Sequence, residues 1–223
     1  MKPLKINLKI KKEVISKSQY MKYYKKDTVV EFCKACNNYM KNHSCPDFDF
    51  LIEDYLEPYD RMLILLTEID SKEIRDNIEY FKGVVYESKE AKRYGHDGDF
   101  DSQFINFLSV YIFEKTKNFM SKKILKYEDQ VKGALGLFPG SCSLCSVCEK
   151  ESNKPCVYPD KMRYSLEALG FMVSDFYDEV FNQEIIWSQG ELPSKFTSCS
   201  AILFVRDTHI PEGIFEYDEI IEL

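Results

Sequence analysis

The chain has 223 residues, 44% hydrophobic, 30% charged and 14% aromatic, with a formal net charge of -7. That length and composition suit a globular domain with its own core. The acidic balance argues against non-specific nucleic-acid binding, and no basic patch with interleaved aromatics offsets it. No stretch approaches the ~18 apolar residues needed to span a bilayer, so no membrane partner is expected.

The chain opens "MKPLKINLKIKKEVI". Leu4, Ile6, Leu8 and Ile10 alternate with polar residues, which is a strand pattern and not the continuous apolar run of a signal peptide. A cytoplasmic location follows as the expectation. Residues 17–26 read as a short helix, and a first cysteine loop runs from Cys33 to Pro46. Residues 50–59 read as a short helix ended at Pro58, and the apolar run 60–69 as a buried strand. Residues 71–83 read as a helix with Ser71 as N-cap and Gly83 as its stop.

In "HDGDFDS" (96–102), Asp97, Asp99 and Asp101 alternate as at the start of an EF-hand loop. Ser102 and Leu108 stand where that loop needs Gly and Glu, so the segment reads as a solvated turn. The longest helix signal is 100–128, where Phe104, Phe107, Leu108, Tyr111, Ile112, Phe119 and Ile124 follow a mostly i, i+3, i+4 spacing. Such an aromatic stripe is far more often core than cofactor box.

Residues 131–141 read as a strand ending in a Pro-Gly turn that enters the second cysteine loop. Residues 159–170 carry helix start and stop signals in Pro159, Asp160 and Gly170. That helix would direct its positive end towards the loop. Residues 174–183 read as a helix capped by Ser174, residues 199–207 as a buried strand, and "PEGIFEYDEIIEL" as a solvated edge or partner surface. The order implies one α+β (or α/β) domain over residues 1–223. It would hold a mixed β-sheet flanked by helices, with cysteine loops at 33–46 and 140–159; a ferredoxin-like arrangement is one candidate.

Seven of the eight cysteines fall in the two loops. In a reducing compartment such clusters are metal ligands rather than disulfides. The blander reading, scattered buried thiols, does not account for two tight, Pro-bounded groups. The second loop places Cys142, Cys145, Cys148 and Cys156 as C-x2-C-x2-C-x7-C. Three thiolates within seven residues can wrap one face of a cubane cluster, with the fourth held between Pro155 and Pro159. Gly140, Ser141, Ser143 and Ser146 let backbone amides approach the sulfurs. Zinc is the alternative, but its sites usually pair two C-x2-C knuckles, so the triplet favours iron–sulfur, 4Fe-4S in type.

The first loop places Cys33, Cys36 and Cys45 as C-x2-C-x8-C-P. Three thiols leave three readings. A fourth ligand comes from elsewhere, with His43 and Cys199 as candidates; the two loops share one site; or one iron stays open as a Lewis acid. Cys199 opens a buried strand and reads as a packed core thiol before it reads as a ligand.

"CKACNNYMKNHSCP" (33–46), "GSCSLCSVCEKESNKPCVYP" (140–159) and "RYSLEALGFMV" (163–173) together resemble the predicted metal-binding family known as domain of unknown function 2284. Asn38 and Tyr39 fit its first motif, with Met40 where glycine is usual and Asp47 in place of a second proline. Arg163, Ser165, Glu167, Ala168 and Gly170 fit its third. The resemblance implies a bound metal, iron–sulfur in kind, and does not supply a reaction. It makes Arg163 a candidate cofactor-binding residue, since a guanidinium would offset an anionic cluster or hold an anionic substrate. The plainer reading is an arginine paired with Glu167 at i+4.

The expectation is therefore a cytoplasmic protein holding one or two iron–sulfur clusters for redox or accessory chemistry with a redox partner protein. An enzyme with an open three-cysteine cluster, acting in sulfur transfer, desulfuration or dehydration, and a zinc-stabilised interaction module are the alternatives.

Overall fold

The apolar runs "DRMLILLTEI" and "CSAILFVRD" become neighbouring strands of one sheet. The computed structural model describes residues 2–88, 100–186, 191–216 and 218–223. In chain order these form β1 (Lys5–Ser16), α1 (Lys17–Tyr20), α2 (Lys26–Lys34), α3 (Ile52–Leu56), β2 (Tyr59–Asp70), α4 (Ser71–Asp76) and α5 (Ile78–Glu87). There follow α6 (Phe100–Gln130), β3 (Ala134–Leu137), α7 (Val173–Asp175), β4 (Lys195–Val205) and β5 (Glu219–Glu222). Of the segment 96–102 read as a solvated turn, residues 96–99 lie outside the described residues and 100–102 open α6 instead. Among those residues, no helix is long and apolar enough to cross a membrane.

The sheet order is β3-β4-β2-β1-β5, and every ladder among the described residues is antiparallel. The fold is α+β. Of the mixed sheet expected from the sequence, the parallel component is one isolated bridge, Phe138 to Ser165. The strand and helix order, with helices between β1 and β2, between β2 and β3 and between β3 and β4, is also not the βαββαβ order of a ferredoxin-like fold.

Alternate residues of a strand point to opposite faces, so a continuous apolar run marks a strand covered on both. On β2, Leu63, Leu65 and Ile69 join a core with Phe81, Val85, Leu108, Ile112 and Ile124 of α5 and α6. Met62, Ile64 and Leu66 join a second core with Leu56, Leu166, Leu169, Phe171 and Phe176. β4 divides in the same way, with Ile202 and Phe204 in the first core and Cys199, Ala201 and Leu203 in the second. β1 runs beyond residue 10 to Ser16 because β2 offers it a partner down to Arg61.

Several helices differ from their sequence signals. Residues 17–26 give α1, then a tighter 3-10 turn at Met21–Tyr23. Residues 71–83 form two helices that break at Asn77, and Asp70, not Ser71, caps the first by accepting from Lys72 N at 2.8 Å. The second passes through Gly83 to Glu87 because Phe81 and Val85, four residues apart, both bury against α6. In place of a helix at 174–183, α7 has three residues, with Met172 and not Ser174 at its N-cap, and leads into a π-type turn at Phe176–Val180. The tail is half buried: Ile221 and Leu223 pack inward while Ile220 faces solvent.

No helix forms over 159–170, which is a chain of turns. Phe138 N donates to Tyr164 O at 2.8 Å, Gly170 N to Glu167 O at 2.9 Å, and Phe171 N to Leu166 O at 2.9 Å. The reason is burial. Leu166, Ala168, Leu169 and Phe171 all bury, and one helix face cannot present four of six successive residues to a core. Gly170 makes the path feasible at φ +82, where an added Cβ would lie 3.0 Å from Lys26 Cα. Gly170→Ala is expected to cost about 2–4 kcal/mol, from left-handed strain plus a forced backbone shift. Equilibrium denaturant unfolding measures it, and parental stability would contradict this packing.

Candidate metal centre

α2 carries Cys33 in its last turn, and the chain then descends through tight turns. Cys36 N donates to Cys33 O at 3.0 Å, Tyr39 N to Cys36 O at 3.1 Å, and Cys45 N to Asn42 O at 3.0 Å. Met40 sits at φ +57, in the left-handed region that favours glycine; glycine is the residue the resemblance implies there. Cys33 is half-buried, Cys36 exposed and Cys45 buried. Burial raises the Cys33 thiol, and the nearby Glu167 carboxyl and the Cys36 thiol raise it further. Burial pushes Cys45 up to about 11, opposed by a hydrogen bond with Ser44 and reinforced by Cys36 and Cys33.

The second loop leaves β3 through Pro139 and Gly140, the latter at φ +79. Cys142, Cys145, Cys148 and Cys156 are all half-buried and line one cavity of about 20 Å³, with Asn42, His43, Leu144, Tyr158 and Met162. Burial raises Cys142 and Cys145, and the other thiols of this loop raise them further. The long helix steadies the loop from beneath, where Ser143 Oγ donates to Asn118 Oδ1 at 2.7 Å.

The two loops are about 100 residues apart in sequence and interlock in space. Asn42 Nδ2 donates to Cys142 O at 2.9 Å. Asn42 Oδ1 accepts from Ser44 N at 3.0 Å and from Ser44 Oγ at 2.9 Å. Ser44 Oγ in turn accepts from Cys142 N at 2.8 Å. These bonds close a ring around Cys142, and Ser44 is fully buried within it. Around the ring, Asn38 Nδ2 donates to Ser141 Oγ at 3.2 Å, Lys150 Nζ to Cys45 O at 3.3 Å, and His43 N to Cys148 Sγ at 3.4 Å.

The family model for predicted metal-binding protein (DUF2284) matches residues 19–204, a span that contains both loops. The chain belongs to that family. No curated protein and no solved structure matches it.

The donors present suit the metal binding that the DUF2284 description predicts. Four thiols share one cavity, and thiolate is the preferred ligand of zinc and of iron–sulfur clusters. Backbone amides reach two sulfurs, His43 N to Cys148 Sγ and Asn38 N to Cys36 Sγ at 3.5 Å, as in sites that stabilise thiolate charge. The sulfurs are not drawn onto a common point. Among the described residues, no group of three or more His, Cys, Asp or Glu side chains is arranged to hold a metal ion.

Other residues singled out from the family motifs and the loop spacing have partners of their own. Arg163 pairs with Glu128, not Glu167. Its Nε donates to Glu128 Oε2 at 2.9 Å, its Nη2 to Glu128 Oε1, and its Nη1 to Met162 O at 2.8 Å. Glu128 also accepts from Gly136 N at 2.8 Å, so this pair ties α6 to β3 and to the end of the second loop. His43 engages Lys154 O through Nε2 at 2.9 Å. With no helix at 159–170, the helix end expected to face the second loop is not there.

Cys199 is buried in the second core, and burial raises its thiol well above the usual range. Cys199→Ser is expected to keep the full metal content of the parent and to lose about 1–3 kcal/mol by placing a hydroxyl among apolar neighbours. Elemental analysis with thermal melting tests this, and metal loss would make Cys199 a ligand.

Motif reading missed Asn42 and Ser44. Their signal was the polar pair flanking His43 just before Cys45. Glu167 was noted only as a motif match and as a partner for Arg163. Its Oε2 is sealed from solvent and accepts no hydrogen bond.

Proposed function

We propose that the chain is an iron–sulfur protein in which Cys142, Cys145, Cys148 and Cys156 hold a 4Fe-4S cluster. The supporting observation is that these four thiols line one cavity, in a C-x2-C-x2-C order that suits a cubane better than a single tetrahedral ion. Cys33, Cys36 and Cys45 hold a second cluster. In support, none of the three lines the cavity shared by the second loop's four thiols. Such clusters supply one-electron transfer, and the role is redox or accessory chemistry in the cytoplasm with a redox partner protein.

A second reading draws on the first loop. It has three thiols, while His43 and Cys199 are engaged elsewhere. Cys33 borders its own cavity of about 80 Å³, with Asp47 and Glu167 on the wall. That arrangement favours an open cluster position and hence an enzyme of sulfur transfer, desulfuration or dehydration.

Anaerobic purification followed by iron, sulfide and zinc analysis tests the proposal. Iron and inorganic sulfide in equal amounts support it. Stoichiometric zinc without sulfide replaces it with a zinc-stabilised interaction module. A spectral change of one cluster on adding small ligands favours the enzyme, and inertness favours electron transfer.

A further inference from the structure

α6, the entry to the second cysteine loop and β4 border a cavity of about 400 Å³, within the ~300–1,000 Å³ common for small-molecule sites. Phe113, Val173, Ile186 and Phe196 make much of its wall apolar. Phe113 and Ile186 stay open to solvent. A hydrocarbon group placed against them would take apolar surface out of water on both partners.

Lys195, at the start of β4, brings a charge to this wall, and 26% of its side chain is exposed. Its Nζ donates to Glu68 Oε1 at 2.5 Å and to the Gln183 side chain. An ammonium group has three N–H donors, so one is left over. Glu68 does not belong to Lys195 alone, because its Oε2 also takes Lys11 Nζ at 3.1 Å. Two lysines on one buried carboxylate leave these three side chains with a positive charge in excess. The other residue of charged type on the wall is Glu167. Its Oε2 is sealed from solvent and burial favours its neutral form, so it gives the cavity no countercharge.

We propose that this cavity binds a small apolar monocarboxylate, with its hydrocarbon part against Phe113 and Phe196 and its carboxylate on the Lys195 ammonium. A carboxylate accepts the remaining N–H and offsets the excess charge together. A ligand amine would meet like charge. A pure hydrocarbon would strip water from the ammonium and return no acceptor. The proposal stands apart from the identity of the metal, since none of the groups it uses is a thiol of either loop.

The test uses the full chain as purified, titrated at neutral pH with 3-phenylpropionate and with its uncharged isostere 3-phenylpropanamide, by calorimetry or ligand-observed magnetic resonance. The carboxylate is expected to bind saturably at millimolar concentration or below, and about tenfold tighter than the amide, as one charge-assisted hydrogen bond provides. Lys195→Met should bring the carboxylate down to the affinity of the amide and leave the amide unchanged. Glu68 keeps Lys11 as its partner in that variant, so the melting temperature should stay close to the parent's. Ser109→Phe, which fills the cavity from α6, should abolish binding of both probes with melting temperature and metal content again near parental. Equal affinity for carboxylate and amide, a carboxylate preference that survives Lys195→Met, binding that survives Ser109→Phe, or binding of neither probe would each overturn the proposal.

Discussion

A Cys145→Ser chain is expected to keep its sheet and, on the proposed ligand set, to lose the metal of the second loop. Serine offers a hard, protonated oxygen where a soft thiolate is needed, and the three remaining thiols cannot close the site. Because the unfolded chain has no preformed site, free energy of metal binding is free energy of folding. The two cores on either face of β2 do not depend on the loop, so the loss is partial: about 3–5 kcal/mol, or roughly 10 °C in melting temperature for a chain of this size. Elemental analysis and a circular-dichroism melt on the same sample read both effects. Undiminished metal with an unchanged melt would remove Cys145 from the ligand set.

Ser44→Ala produces the second largest effect, without touching a sulfur. It removes the atom that accepts from Cys142 N and donates to Asn42 Oδ1. Ser44 is fully buried, so water cannot readily take its place. A buried donor left unmatched costs about 1–3 kcal/mol. The larger consequence concerns metal affinity. Groups that orient ligands without binding metal are worth about 10–100-fold in affinity, and Ser44 orients the first cysteine of one loop while sitting beside the last cysteine of the other. Competition with a chelator is expected to strip the variant at a correspondingly lower chelator concentration. A variant stripped at the same concentration as the parent would mean that the two loops hold their metal independently of the ring.

The elements that could be read from the amino-acid order are those whose burial is simple. β2 and β4 are legible because both faces of each are covered, which forces apolar residues at nearly every position. α6 is legible because one stripe packs and the rest does not. The stretch 159–170 was not legible, although its start and stop residues are good ones. Local capping signals are worth about a kilocalorie each, whereas burying Leu166, Leu169 and Phe171 is worth about 1.5–3 kcal/mol apiece, so packing prevails over propensity. The thiols themselves were visible by spacing, and four of them line one cavity. The interlocking of the loops was not visible. It rests on polar contacts between residues 98–105 apart in sequence, and no periodicity encodes such contacts. Arg163 illustrates the same point, because its partner Glu128 lies 35 residues upstream, beyond the reach of i, i+4 reasoning.

The ring that joins Asn42 and Ser44 to Cys142 also has a consequence in time. Ser44 precedes Cys142 by 98 residues, and translation proceeds at about 5–20 residues per second. For roughly 5–20 s of every synthesis, then, the first three thiols are outside the ribosome with nothing to dock against. The clasp closes only after the second loop has emerged, so any loading of metal that depends on both loops is a late event in the life of the nascent chain.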